Sequence, residues 1–116
     1  MLKDPNAQQV VLVPTKSLQR QPQVKTIYVR DKGHVLLTAN NLAQPPAKKA
    51  YQLWLLPANG GEPMPAGVFK TDWRGHGMML HYMQTAGIDA KGFAVTIEPE
   101  TGSERPTPPI VMQPGN

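Results

Sequence analysis

Apolar residues in this chain arrive in short runs, and proline or glycine closes them off after a few positions. No segment carries apolar residues at helical spacing over three turns, so the helices that would cover a parallel sheet are missing. What remains is a fold of short strands joined by many turns. Pro at 13 and Gly at 10 of 116 residues exceed usual shares of about 5% and about 7%, as that punctuation requires. A chain of 116 residues has the size of one domain and can bury a self-sufficient core.

The most apolar run is Tyr51-Gln52-Leu53-Trp54-Leu55-Leu56, closed by Pro57, and its natural partner is Phe93-Ala94-Val95-Thr96-Ile97. Both are short and rich in aromatic or β-branched residues, which predicts strands buried on at least one face. Ahead of them, Val24–Arg30 alternates, Asp31-Lys32-Gly33 is a turn signal, and His34–Ala39 returns as a second strand. Val10–Val13, ended by Pro14, reads as an edge strand. Residues 66–70 and 78–83 add two strands, residues 85–92 a turn or a single helical turn, and 110–112 a last strand. The total predicts an all-β domain: a single antiparallel β-sandwich of about eight short strands, Ig-like in general architecture. Its expected bounds are 10–113, with 1–9 a disordered tail or artificial start and 114–116 a short C-terminal tail.

Several classes of function fall away on composition. The chain has no cysteine, which removes disulfides, thiolate metal sites and thiol nucleophiles together. Net charge is +4, but the basic residues are scattered and only Lys48-Lys49 are adjacent. No basic stripe exists to follow a phosphate backbone, so no nucleic-acid partner is expected. No run reaches the roughly 18 apolar residues of a membrane helix. The start Met1-Leu-Lys-Asp-Pro reads as artificial, with any membrane segment removed upstream.

Four groups of residues carry candidate chemistry. His76, Met78, Met79, His81 and Met83 lie within eight residues; on a strand, Met79, His81 and Met83 would share a face, and thioether with imidazole suits copper(I). The plainer reading has the methionines filling the core and the histidines on its rim. Glu98, at the end of a buried strand, and Asp72 are the acids expected to be partly enclosed; two carboxylates can do acid–base work, but neither has a histidine or serine at a catalytic spacing. Trp54 reads as a core anchor of the sandwich, and Trp73, in a turn beside Arg74, as the exposed aromatic. Arg105-Pro106-Thr107-Pro108-Pro109 should be extended, either as a docking ligand or as a rigid loop before the last strand. No catalysis and no cofactor are expected.

The order and spacing of Lys49–Leu56, Ala66-Gly67-Val68-Phe69 and Phe93–Pro99 followed by Pro106-Thr107 resemble the C-terminal domain of the anti-sigma-K factor family, over roughly Val10 to Met112. The residues that carry the resemblance are Tyr51, Leu53, Trp54, Gly67, Phe69, Val95, Thr96, Glu98, Pro99, Pro106 and Thr107. The family's Glu-Pro-Ala-Gly-Gly-Ser turn is here Glu98-Pro99-Glu100-Thr101-Gly102-Ser103, with one glycine replaced. The resemblance implies the extracytoplasmic domain of a single-pass, membrane-anchored anti-sigma factor of the bacterial inner membrane. Its sigma factor would be held by a cytoplasmic domain outside this chain and released through regulated proteolysis by an envelope protease. Copies of the chain could also pair through edge strands at Val10 or Ile110.

The competing expectation is a free-standing β-sandwich module that binds a small molecule or a cell-envelope polymer through Trp73 and its neighbours, or copper through His76, Met79, His81 and Met83.

Overall fold

The computed structural model describes residues 7–14, 22–83 and 86–114. Its central ladder is the pair foreseen from the two most apolar runs. β4 (Lys49–Pro57) lies antiparallel to β7 (Ala90–Pro99), in register from Lys49 opposite Pro99 through Leu56 opposite Gly92. The remaining strands are β1 (Ala7–Pro14), β2 (Gln23–Val29), β3 (His34–Asn40), β5 (Met64–Phe69), β6 (Gly77–Tyr82) and β8 (Met112–Pro114). All eight form one antiparallel sheet in the order β5-β4-β7-β8-β1-β2-β3-β6. The all-β, antiparallel, eight-strand expectation holds, and the sheet curls until its two halves face each other over one core, nearly closing into a barrel.

The seam of that near-barrel lies between β5 and β6. Gly67 sits there at φ +116°, and a Cβ at this position would overlap Met79 Sδ and come 3.2 Å from His81 Cβ. Only glycine lets the two end strands approach so closely and accepts that backbone. The same residue lies in the irregular stretch of the β4–β5 ladder, between the Gln52–Val68 and Trp54–Pro65 pairs.

The β2–β3 hairpin matches its sequence signal. Gly33 has φ +70° and its N–H donates to Val29 O at 2.9 Å, closing the turn. The core takes one face of each strand: Leu12, Val24, Tyr28, Val35 and Leu37 from the first half, Tyr51, Leu53, Leu55, Phe93 and Val95 from the second, and Met112 between them. Tyr28 meets Phe93 edge-on at 5.7 Å and Tyr51 stacks on Phe69 at 5.6 Å. Each phenol, buried and held above its ordinary pKa by desolvation, donates to a backbone carbonyl: Tyr28 to Ile88 O and Tyr51 to Ala43 O, both at 2.6 Å.

Five expectations are corrected. β1 is not an edge strand: it lies between β2 and β8, with Val10 opposite Thr26 and Leu12 opposite both Val24 and Pro114. Neither Val10 nor Ile110 therefore offers a free edge to a second copy, because β8 is itself enclosed by β1 and β7. The domain also reaches past its expected bounds, since Ala7–Gln9 pair with β2 and Pro114 pairs with Leu12; residues 1–6 and 115–116 lie outside the described residues. Ile110 precedes the last strand instead of opening it, and β7 begins at Ala90, in the stretch read as a turn.

Candidate functional site

β4 is buried on both faces. Tyr51, Leu53 and Leu55 point into the core, yet Ala50, Gln52 and Trp54 on the opposite face are buried as well, Trp54 with 0% exposure. Across the β4–β7 ladder these three face Glu98, Thr96 and Ala94, which are also buried. A second enclosed layer therefore lies outside the barrel.

Its cover is the segment 100–111, which behaves as a strap. The chain leaves β7 at Pro99 and turns at Gly102, whose N–H donates to Pro99 O at 2.8 Å and whose φ is +85°. It crosses the outer face and rejoins the sheet where Val111 N donates to Val95 O at 2.8 Å. The Pro108-Pro109 bond within it is cis. Little regular backbone bonding holds such a segment, so side chains of the layer beneath do so.

Glu98 is the main anchor. Its Oε1 accepts from the Ser103 hydroxyl at 2.8 Å and the Thr107 hydroxyl at 2.8 Å; its Oε2 accepts from Thr107 N at 2.7 Å and from the Thr96 hydroxyl. The Thr96 oxygen in turn accepts from Trp54 Nε1 at 2.8 Å, so indole, hydroxyl and carboxylate form one relay. Gln52 adds a two-point clasp, its amide donating to Ser103 O at 3.0 Å and accepting from Ser103 N at 2.8 Å. Burial pushes the Glu98 carboxyl up, but the donors from Thr96, Thr107 and Ser103 outweigh it and hold the group below its ordinary value. A wholly buried carboxylate is tolerable here because both oxygens are fully supplied with donors. At the rim, Lys70 Nζ reaches Glu100 Oε1 at 2.7 Å, an exposed pair of small energetic weight.

The residues singled out in the sequence divide between the two layers. Trp54, Thr96, Glu98 and Thr107 meet under the strap, Pro99 opens it and Pro106 precedes the anchoring Thr107. Tyr51, Leu53, Phe69 and Val95 belong to the main core, and Gly67 to the seam. Trp54 is thus a buried anchor, but of the outer layer and not of the main core, because the alternation of β4 turns it away from Leu53. The Arg105–Pro109 run is part of the strap. Gln52 and Ser103 were not anticipated; the available signal was a lone amide within the most apolar run of the chain.

Asp72, expected to be partly enclosed, is exposed in the turn between β5 and β6. Its Oδ1 accepts from His76 N at 2.9 Å and Arg74 N at 2.8 Å, and the His76 bond is the chief reason its carboxyl titrates below the ordinary value. That is a turn cap. It stands on a different element from Glu98, whose oxygens are already occupied, so the two do not form an acid–base pair.

Met79, His81 and Met83 do share the inward face of the β6 segment, with both methionines buried and His81 half-buried. His76 lies apart, exposed in the preceding turn, and Met78 points outward. Burial lowers the pKa of the His81 imidazole. Among the described residues no cluster of three or more His, Asp or Glu side chains is placed to hold a metal ion.

Trp73 is 77% exposed, with the Arg74 guanidinium 4.7 Å above its ring. It rims an open cleft of about 650 Å³ floored by Leu42, Tyr51, Val111 and Met112. The cleft lies beside one end of the strap, since Val111 is common to both.

The family model described as "Anti-sigma-K factor rskA, C-terminal" matches residues 1–110. The anti-sigma-K factor RskA of Mycobacterium tuberculosis, in strains H37Ra, Erdman and H37Rv, is 31% identical over 115 residues, covering 92% of this chain. The match takes in 47% of each relative, so the chain spans about half the length of the curated relatives it matches. No solved structure matches the chain significantly.

Proposed function

Because the chain belongs to the anti-sigma-K factor rskA C-terminal family, we propose that it is the regulatory outer domain of a single-pass membrane anti-sigma factor. It stands on the extracytoplasmic side of the bacterial inner membrane. The remainder of the protein supplies the membrane span and the cytoplasmic helices that hold an extracytoplasmic-function sigma factor. The family's role is regulatory, and this domain acts by its fold and not by catalysis. It controls the access of an envelope protease to a segment near the membrane, and through that the release of the sigma factor.

The observation that supports this reading is the strap. A length of irregular chain lies over the central β4–β7 ladder and depends on one carboxylate and one amide for most of its attachment. Such a segment opens at a lower free energy than the whole domain, which is what a signal-dependent gate requires. The test is Glu98→Ala in the full-length protein, read by a sigma-dependent reporter and by immunoblot for cleavage. Faster cleavage and a raised reporter without signal are expected. Unchanged cleavage, in a variant whose strap is shown by limited proteolysis to be open, would rule out gating by this segment.

A second reading, a module that binds a small molecule or envelope polymer, is favoured by the Trp73 cleft, whose volume falls in the range of ligand pockets, about 300–1,000 Å³. Titration of soluble cell-wall fragments against Trp fluorescence separates the two. A saturable change lost in Trp73→Ala supports the module, and no change with any fragment removes it.

A further inference from the structure

The two halves of the sheet are finished differently on the outside. The β4–β7 face is covered by the strap, whereas the outer face of β3 and β6 has no cover among the described residues. Its surface is apolar: on β6, Met78, Leu80 and Tyr82 alternate outward with exposures of 73%, 53% and 61%. They stand opposite Thr38, Leu36 and His34 of β3, in that order. Tyr82 and His34 are in edge contact at 4.6 Å.

The two strands contain no Lys, Arg, Asp or Glu at all. Exposed β-structure is normally guarded by such charges, and their absence from a sheet end marks a surface made to be covered. At these exposures the three side chains present on the order of 400 Å², the size of the largest apolar patch on a typical monomer.

We propose that this face is a docking surface for a second copy of the chain, joined face to face about a two-fold axis through the Leu36–Leu80 pair. Three features select that occupant. The face holds no formally charged residue, so two copies that meet there, each of net charge +4, bring no like charges of these strands into contact. The patch is also self-complementary: rotation about the central leucine pair brings Tyr82 of one copy over Met78 of the other, an aromatic–thioether contact, and an isologous two-fold is the commonest way a surface meets itself. Finally, two such patches with their rims bury about 1,000 Å², at the low end of specific interfaces, so association is weak and suits a reversible, concentration-dependent pairing. This inference is independent of the strap and does not require the regulatory reading.

Sedimentation velocity of the 116-residue chain from about 5 µM to about 500 µM, a range suited to a weak dimer, tests it. The wild type is expected to move from monomer toward dimer, while Leu80→Glu stays monomeric with an unchanged melting temperature. Glu104→Lys, on the strap side, should associate as the wild type does. A wild type that stays monomeric throughout overturns the proposal, whether or not the face then captures lipid vesicles. So does a Leu80→Glu variant that dimerises normally, or a Glu104→Lys variant that loses association. Should Leu80→Glu prove unstable, Met78→Lys offers the same reading at the most exposed position.

Discussion

The indole N–H of Trp54 and the hydroxyl oxygen of Thr96 lie 2.8 Å apart, and through Thr96 the tryptophan is joined to the Glu98 carboxylate. Two bonds in series thereby connect the largest side chain of the outer layer to the anchor of the strap. It also separates two roles of Trp54, since the ring fills the layer and its N–H orients Thr96 toward Glu98.

Trp54→Ala should lose about 3–5 kcal/mol of stability, as expected for a wholly buried aromatic. Trp54→Phe keeps most of the packing, removes the donor to Thr96 and should cost about 1 kcal/mol. Urea unfolding followed by far-UV circular dichroism checks both. A Trp54→Ala protein with a wild-type midpoint would mean that the strap does not enclose this ring.

Glu98→Gln should cost about 2–3 kcal/mol, because a carboxylate accepting four hydrogen bonds becomes an amide with a single acceptor oxygen facing the same donors. Limited proteolysis should then cut first between Glu100 and Val111, with the barrel intact. Cleavage distributed over the whole chain would instead place Glu98 in the global fold.

The same carboxylate gives the acid limb of stability a definite sign. Its folded pKa lies below the ordinary 4.5, so the unfolded chain takes up the proton first. The stabilisation is complete at neutral pH and is lost as pH falls below about 4.5 toward the folded value. His81 acts earlier: burial lowers its folded pKa from 6.5, so stability declines as pH falls from about 6.5 toward that lower value. Melting temperature against pH should therefore show two steps, the upper removed by His81→Asn and the lower flattened by Glu98→Gln.

Gly67→Ala should destabilise by about 2–4 kcal/mol, from overpacking against Met79 Sδ together with a left-handed backbone no alanine favours. Adding Met79→Ala relieves only the contact, so recovery should be partial. Full recovery would show that the positive φ matters little.

Thr26 is wholly buried, and its hydroxyl has no hydrogen-bond partner among the described residues. Thr26→Val keeps the shape and removes that desolvated group, so it should raise stability by about 1 kcal/mol. A fall in melting temperature would mean that the hydroxyl is satisfied in solution.

The strands were legible wherever hydrophobic pattern and turn chemistry spoke together. Val24–Ala39 shows both, and its hairpin was readable to within a residue. The Tyr51–Leu56 run announces a buried strand and Trp54 as a buried anchor, and Trp54 is wholly buried; but a strand buried on both faces has no alternation to say on which side of the sheet each side chain lies. The cover over Trp54 could not be read at all: Glu100–Pro109 is polar and proline-rich, and its fixing depends on hydrogen bonds from Ser103 and Thr107 to Glu98 that follow no period. Val10–Val13 looked like an edge because its second neighbour, β8, is three residues long and lies about a hundred residues away. Glu98 was legible as an enclosed acid at a strand end, whereas its donors were legible only as members of a family pattern.

The pairing of β1 with β8 has a mechanical meaning. The two are antiparallel, so the outgoing ends of the domain, Ala7 on one strand and Pro114 on the other, point the same way along neighbouring strands. A pull between them would load the ladder at one end and part it bond by bond, not shear it all at once. Among the described residues, Leu12, Val13 and Pro14 pair with β8 on that side, and Val95 on the other. The last strand is the weak link under tension, and its release would draw Met112 out of the core and loosen the far end of the strap.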